Sequence, residues 1–275
     1  MNSILVPTDF SDVAMNAGHY AVSLANDLGI QKIILYNAYQ APIAADPSMP
    51  AVQLFDIDVL KKSSEDGMQK FRSMLQASCN GPMLFETKSE FQTLTGGVEE
   101  LCKQEEIDAI VMGITGGSKM EEVLIGSNTI SVAKYVTVPV FIVPKNATYK
   151  KIQQVVLACD FRKVVDTMPV QSIKNLLDLT KAQLHILNVS EKQTKPDEAF
   201  ESLLLDTLFQ GYDPKYHFIH DTHFTEAINH FSDNNAIDLI ITIPKKHGLF
   251  DGLFKKSHTK SLAFHSHLPL MVIHD

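Results

Sequence analysis

No apolar run in this chain approaches the roughly 18 to 20 residues needed to cross a bilayer, so no membrane span is expected. The opening MNSILVPTDF has no positive n-region and meets a proline and an aspartate early. It does not read as a signal peptide, which makes the cytoplasm the default location. Cysteine is scarce. Cys79, Cys102 and Cys159 form no CxxC pair, which excludes a disulfide framework or a zinc motif and leaves small buried hydrophobes in a reducing compartment. Basic runs are missing too, and 24 Lys and Arg stand against 32 Asp and Glu, for a net charge of -8. Nucleic acid and anionic membrane are therefore not expected as partners. There is no GxSxG elbow, HExxH helix or kinase loop, and no acid and base that a coarse fold would pair, so enzymatic activity is left open.

What remains is an even mixture, 45% hydrophobic and 20% charged, in a length that suits two globular domains. Apolar runs that read as buried strands alternate with helical patterns, the signature of a parallel sheet with crossover helices. SILVP at 3 to 7 is the first strand. Ser11 is placed to cap a helix in which Val13, Ala17, Ala21, Leu24 and Leu28 recur up to Gly29. IILYNAY at 33 to 39, a helix near 55 to 78, a strand near 83 to 89, a helix near 95 to 105, IDAIVMG at 107 to 113, a helix near 127 to 136 and PVFIVP at 139 to 144 complete the first cycle.

The cycle then repeats. IDAIVMG matches IDLIITI at 237 to 243 with an offset of 130, held through Ser127 and Ser257, Thr129 and Thr259, and Pro139 and Pro269. ILVPTDF at 4 to 10 matches VVLACDF at 155 to 161 with an offset of 151, which also pairs Asn37 with Asn188. This self-similarity points to duplication. Two α/β domains are expected, residues 1–147 and 148–275, joined where the composition turns polar around Pro144 to Lys151.

The stretch GITGGSKMEEVLIGSN, 113 to 128, lies where the fourth strand of the first cycle ends. In an open parallel sheet, ligands bind beyond such ends, at the crevice where strand order reverses. Gly113 and Gly116 let backbone approach a bound group, and Gly126 and Ser127 open a helix whose free N–H groups favour phosphate. The same glycines also suit plain turns, Ser127 a plain N-cap, and Asp9 an Asx-turn or helix cap. The stretch is neither a Walker A loop nor a GxGxxG fingerprint.

The order G-x2-G-x9-G-S at 113, 116, 126 and 127, the PTDFS run at 7 to 11 and the closing PVFIVP together resemble the universal stress protein family in its tandem two-domain form. The resemblance implies two open parallel five-stranded sheets of order 3-2-1-4-5, Rossmann-like and similar to the adenine nucleotide alpha hydrolases, with helices on both faces. It implies ATP as ligand, with ADP or AMP as alternatives and magnesium as a candidate companion. Carried over by position, Pro7, Thr8 and Asp9 would meet the adenosine, with Ala38 and Met112 offering backbone. Gly113, Gly116, Gly126, Ser127, Asn128 and Thr129 would surround the phosphates, and Lys119 could reach a terminal one. Pairing of the two domains, or of two chains, through the last strands is implied as well, with a protein partner that the sequence does not name.

The second half departs from this pattern. Ile243, Lys246 and Lys256 replace the three glycines, Ala158 and Arg162 replace Pro7 and Ser11, while Asp160 and Ser257 persist. A side chain at each former glycine occupies the space of a phosphate, so the second domain is expected not to bind ATP in the family manner. Lys245, Lys246, Lys255 and Lys256 offer an alternative anion site or a solvated surface. Ten of the eleven histidines lie in this half, but HFIHDTH at 217 to 223 and HSH at 265 to 267 have no spacing that assembles a metal site. The expected role is thus regulatory, with ATP as ligand. A weak ATPase or nucleotidyl-transfer enzyme and a nucleotide-free dimerisation module are the rivals.

Overall fold

A computed structural model describes residues 1–40, 56–114, 127–159, 168–190, 198–244 and 258–274. Strands β1 (Ser3–Pro7), β2 (Lys32–Tyr39), β3 (Leu84–Phe91), β4 (Ala109–Ile114) and β5 (Val140–Pro144) alternate with helices α1 (Asp12–Leu28), α2 (Ile57–Gln76), α3 (Leu94–Gln104) and α4 (Ser127–Tyr135). The second half repeats the order with β6 (Gln154–Ala158), α5 (Val170–Thr180), β7 (Gln183–Ser190), α6 (Glu198–Leu208), β8 (Lys215–His220), α7 (Phe224–Asn234), β9 (Leu239–Thr242), α8 (His258–His265) and β10 (Leu270–Val272). No described helix is long and apolar enough to cross a membrane.

The local signals act as the sequence implies. Ser11 Oγ accepts from the Ala14 N–H, and Gly29 ends α1 in the left-handed conformation at φ 70°. The buried face of α1 is wider than the expected stripe. Val13 and Leu28 are half-buried, whereas Ala14, Gly18, Tyr20, Val22 and Ala25 join Ala17, Ala21 and Leu24 inside. The cause is a second neighbour, because α1 lies against the sheet and is also flanked by α2 and by the segment after β5.

The strand order is β3-β2-β1-β4-β5-β10-β9-β6-β7-β8. Each half therefore has the 3-2-1-4-5 order, and the two open sheets merge into one of ten strands. All pairings within a half are parallel, and the junction of β5 with β10 is antiparallel, with Ile142 opposite Leu270 and Val140 opposite Val272. Pairing of the two halves through their last strands is thus realised within one chain. The apolar layers cross the junction on both faces. Phe141, Val143, Met271 and Ile273 share one core, Val140, Ile142, Leu270 and Val272 the other. Asn16 Nδ2 donates to the carbonyls of Pro144 and Ala147, and the Tyr149 hydroxyl to Asp27, which fasten the connecting segment to α1.

The duplication is visible in hydrogen bonds. Asp108 Oδ2 accepts from the N–H groups of Asn2 and Ser3, and Asp238 Oδ2 from those of Gln153 and Gln154. These are equivalent positions under the two offsets. Helix α5 starts at Val170, after a Pro169 that makes no side-chain cap.

Candidate functional site

Helices α1 and α2 pack on one face of the first half and α3 and α4 on the other. The change of face falls between β1 and β4, which are neighbours in the sheet. Pro7 is level with Tyr36 of β2, and continuing the register of Ile4 with Ala109 puts it level with Met112 of β4. The carboxyl ends of β1, β2 and β4 therefore form one rim at the switch point, the position where α/β sheets hold ligands.

The turn after β1 is held from several sides. The Thr8 N–H donates to the Tyr36 carbonyl at 2.8 Å, and Asn37 Nδ2 donates to the Thr8 carbonyl at 2.7 Å. Asn37 Oδ1 in turn accepts from Ser64 Oγ of α2, which also touches Ser89 Oγ of β3. Thr8 Oγ1 accepts from the Phe10 N–H at 2.9 Å and Asp9 Oδ1 from the Ser11 N–H at 3.0 Å. The Asx-turn foreseen for Asp9 is formed, and Ser11, not Asp9, caps α1. Asp9 is exposed, and among the described residues its Oδ2 has no protein hydrogen bond. Phe10 adopts φ 65°, a left-handed conformation that costs a side chain of this size on the order of 1–2 kcal/mol.

Gly113 has a reason that the sequence did not reveal. A Cβ there would lie 2.5 Å from the Val13 carbonyl oxygen, so the first turn of α1 crosses β4 too closely for any side chain. The Gly113 carbonyl accepts from Thr129 Oγ1 at 2.8 Å, which fixes the first turn of α4 to the end of β4. In this arrangement the buried Thr129 hydroxyl hydrogen points to Gly113 and is not offered to a phosphate. Asn128, on the same turn, is exposed, and the Met112 side chain is buried in the core under α3 and α4. Ala38 is half-buried, two residues beyond the last one of β2 that β1 pairs. Gly116, Lys119 and Gly126 lie outside the described residues, as does the Ser127 side chain.

In the second half Asn188 Nδ2 donates to the Cys159 carbonyl, and the Cys159 N–H to the Leu187 carbonyl, repeating Asn37, Thr8 and Tyr36. Cys159 nevertheless lacks the hydroxyl by which Thr8 receives Phe10. Ile243, at the place of Gly113, is half-buried against the core of the α5 and α6 face. Asp160, Arg162, Lys245, Lys246, Lys255, Lys256 and Ser257 lie outside the described residues.

Sequence reasoning missed one cluster. His185 on β7 meets His217 of β8 ring edge to ring edge, with His185 Nε2 donating to Gln154 Oε1 at 2.9 Å. Burial, then the neighbouring His217 and Lys215, push His185 down to about 4, and burial and Lys215 lower His217. Two imidazoles joined to each other do not make a metal site, and no group of three or more metal-ligating residues occurs among the described residues. The available signal was the pair of neighbouring strands QLHILNVS and KYHFIH, each with a histidine near its start.

Comparison with known proteins matches residues 1–144 to the model of the universal stress protein family. A universal stress protein of Methanocaldococcus jannaschii is 27% identical over 146 residues, covering 52% of this chain and 81% of the relative. The crystal structure of a universal stress protein from Archaeoglobus fulgidus superposes with a TM-score of 0.70 at 21% identity, over 99% of this chain and 96% of that one. A protein of unknown function from Pseudomonas aeruginosa gives a TM-score of 0.54 at 9% identity, over 99% and 92%. At these identities the structural likeness speaks for the fold.

Proposed function

The chain belongs to the universal stress protein family, and from that premise we propose that residues 1–147 bind one adenine nucleotide, ATP foremost, while residues 148–275 form a second domain that has lost the site. What supports this reading is the convergence, at the β1/β4 switch point, of the Thr8–Ser11 turn, the glycine end of β4 and the first turn of α4. Asp9 Oδ2 accepts a ribose hydroxyl. Pro7, Thr8, Ala38 and Met112 present backbone to the nucleoside, and Gly113, Gly116, Gly126, Ser127 and Asn128 surround the phosphates at a helix start. Thr129 braces that helix against β4. ADP and AMP fit the same groups with fewer phosphate contacts, and magnesium would accompany the triphosphate charge.

The nucleotide acts in the cytoplasm as a regulatory ligand that orders residues 113–128 and changes the surface offered to a protein partner. Calorimetry with ATP and AMP tests the site. One nucleotide per chain, lost in Gly126→Val, is expected; two per chain would overturn the asymmetry, and none would overturn the nucleotide reading. ATP turnover above background that vanishes in Ser127→Ala would replace the regulatory role with an enzymatic one.

A further inference from the structure

We infer that Phe10 is the positioning residue for Asp9 and that Gly67 of α2 is its seat, an inference that rests on the nucleotide reading above. The backbone at Phe10 turns back with φ 65° between two bonds, its own N–H donating to Thr8 Oγ1 and the next N–H, of Ser11, donating to Asp9 Oδ1. A change of φ or ψ at Phe10 would turn the Ser11 N–H relative to the Asp9 carboxylate. The ring then lies across α2. A Cβ on Gly67 would stand 2.7 Å from Phe10 Cε2 and 2.8 Å from Cζ, and the ring packs edge-on to Phe71 at 6.3 Å between centroids.

Core packing alone does not account for this arrangement. Phe10 stays 37% exposed, so a large hydrophobe sits in a disfavoured backbone conformation without full burial to compensate. Glycine or asparagine would adopt that φ at less cost but could not reach α2.

A second contact from the same helix face supports the assignment. Ser64, one turn before Gly67, holds Asn37, and Asn37 holds the Thr8 carbonyl. Helix α2 thus grips the turn at Thr8 and at Phe10, with Asp9 between the two grips. Displacing α2 moves the carboxylate.

The test is nucleotide calorimetry on the full chain with Gly67→Ala, Phe10→Gly and the double variant, with urea unfolding of each. Helix propensity alone makes Gly67→Ala stabilising, so a folded protein is expected. Each single variant should weaken ATP and AMP alike, by about tenfold, because the loss falls on the nucleoside end. Gly67→Ala should add nothing once Phe10 is glycine, since no ring is left to displace. Unchanged affinity in both single variants, with only unfolding midpoints moved, would overturn the inference and leave the site standing. A loss for ATP without a loss for AMP, or strict additivity in the double variant, would also overturn it. Wild-type protein that binds neither nucleotide would overturn the inference together with the reading beneath it.

Discussion

His185 and His217 lie edge to edge with their rings 14° from parallel and 5.1 Å between centroids, His185 Nδ1 3.0 Å from His217 Nε2. Since His185 Nε2 donates to Gln154, its Nδ1 is the acceptor and His217 the donor, an arrangement that needs His185 neutral. Phe231 of α7 closes the pair with a ring 4.6 Å from His217, and Lys215 is the nearby cation.

The pair predicts acid sensitivity. An unfolded histidine titrates near 6.5, and folded His185 titrates near 4. Between these values the unfolded chain binds more protons, so the contribution is complete above pH 6.5 and is lost as pH falls toward 4. Urea unfolding at pH 7.5, 5.5 and 4.5 should show that fall, and His185→Phe should flatten it. An equal slope in the variant would refute the assignment.

Gly113→Ala should be costly. The new methyl meets a backbone oxygen, which cannot rotate away, so a loss of about 2 kcal/mol or more is expected by thermal or chemical unfolding. The reciprocal Ile243→Gly should also destabilise, by about 1–3 kcal/mol, because it empties packed space. Nucleotide stoichiometry should not rise in that variant.

Asn37→Ala removes the amide that serves both the Thr8 carbonyl and Ser64. Leaving the Thr8 carbonyl without its donor, and Ser64 with Ser89 alone, should cost about 1–3 kcal/mol. Nucleotide affinity should fall with it, whereas Asn188→Ala, which releases the Cys159 carbonyl, should leave affinity unchanged.

Phe141→Ala tests the junction. Phe141 is fully buried in a core that continues into β10, and its loss should cost about 3–5 kcal/mol. Hydrogen exchange should then quicken in Val155–Leu157 as well as in β5. Protection lost in the first half alone would mean that the two cores are energetically separate.

Most of the fold could be read from the chain because its signals are local. Ser11, Gly29, the apolar runs and the two offsets act through neighbours in sequence, and the structure places each strand of the first half within two residues of its expected bounds. The reasons that remained hidden all depend on distant partners. That Gly113 yields to Val13, that Gly67 yields to Phe10, and that His185 meets His217 are facts of packing between elements far apart in the chain. Asp9 and its Asx-turn were readable as candidates, but the left-handed conformation of Phe10 that follows was not.

The antiparallel seam between β5 and β10 means that the two strand-end crevices open at opposite edges of the molecule. A symmetric assembly of identical subunits must accept every substitution twice, once on each side of its axis. Here the axis runs through a single polypeptide, so Gly113 can stay while its counterpart is Ile243. Covalent fusion has freed the two sides to drift apart while they continue to share one sheet.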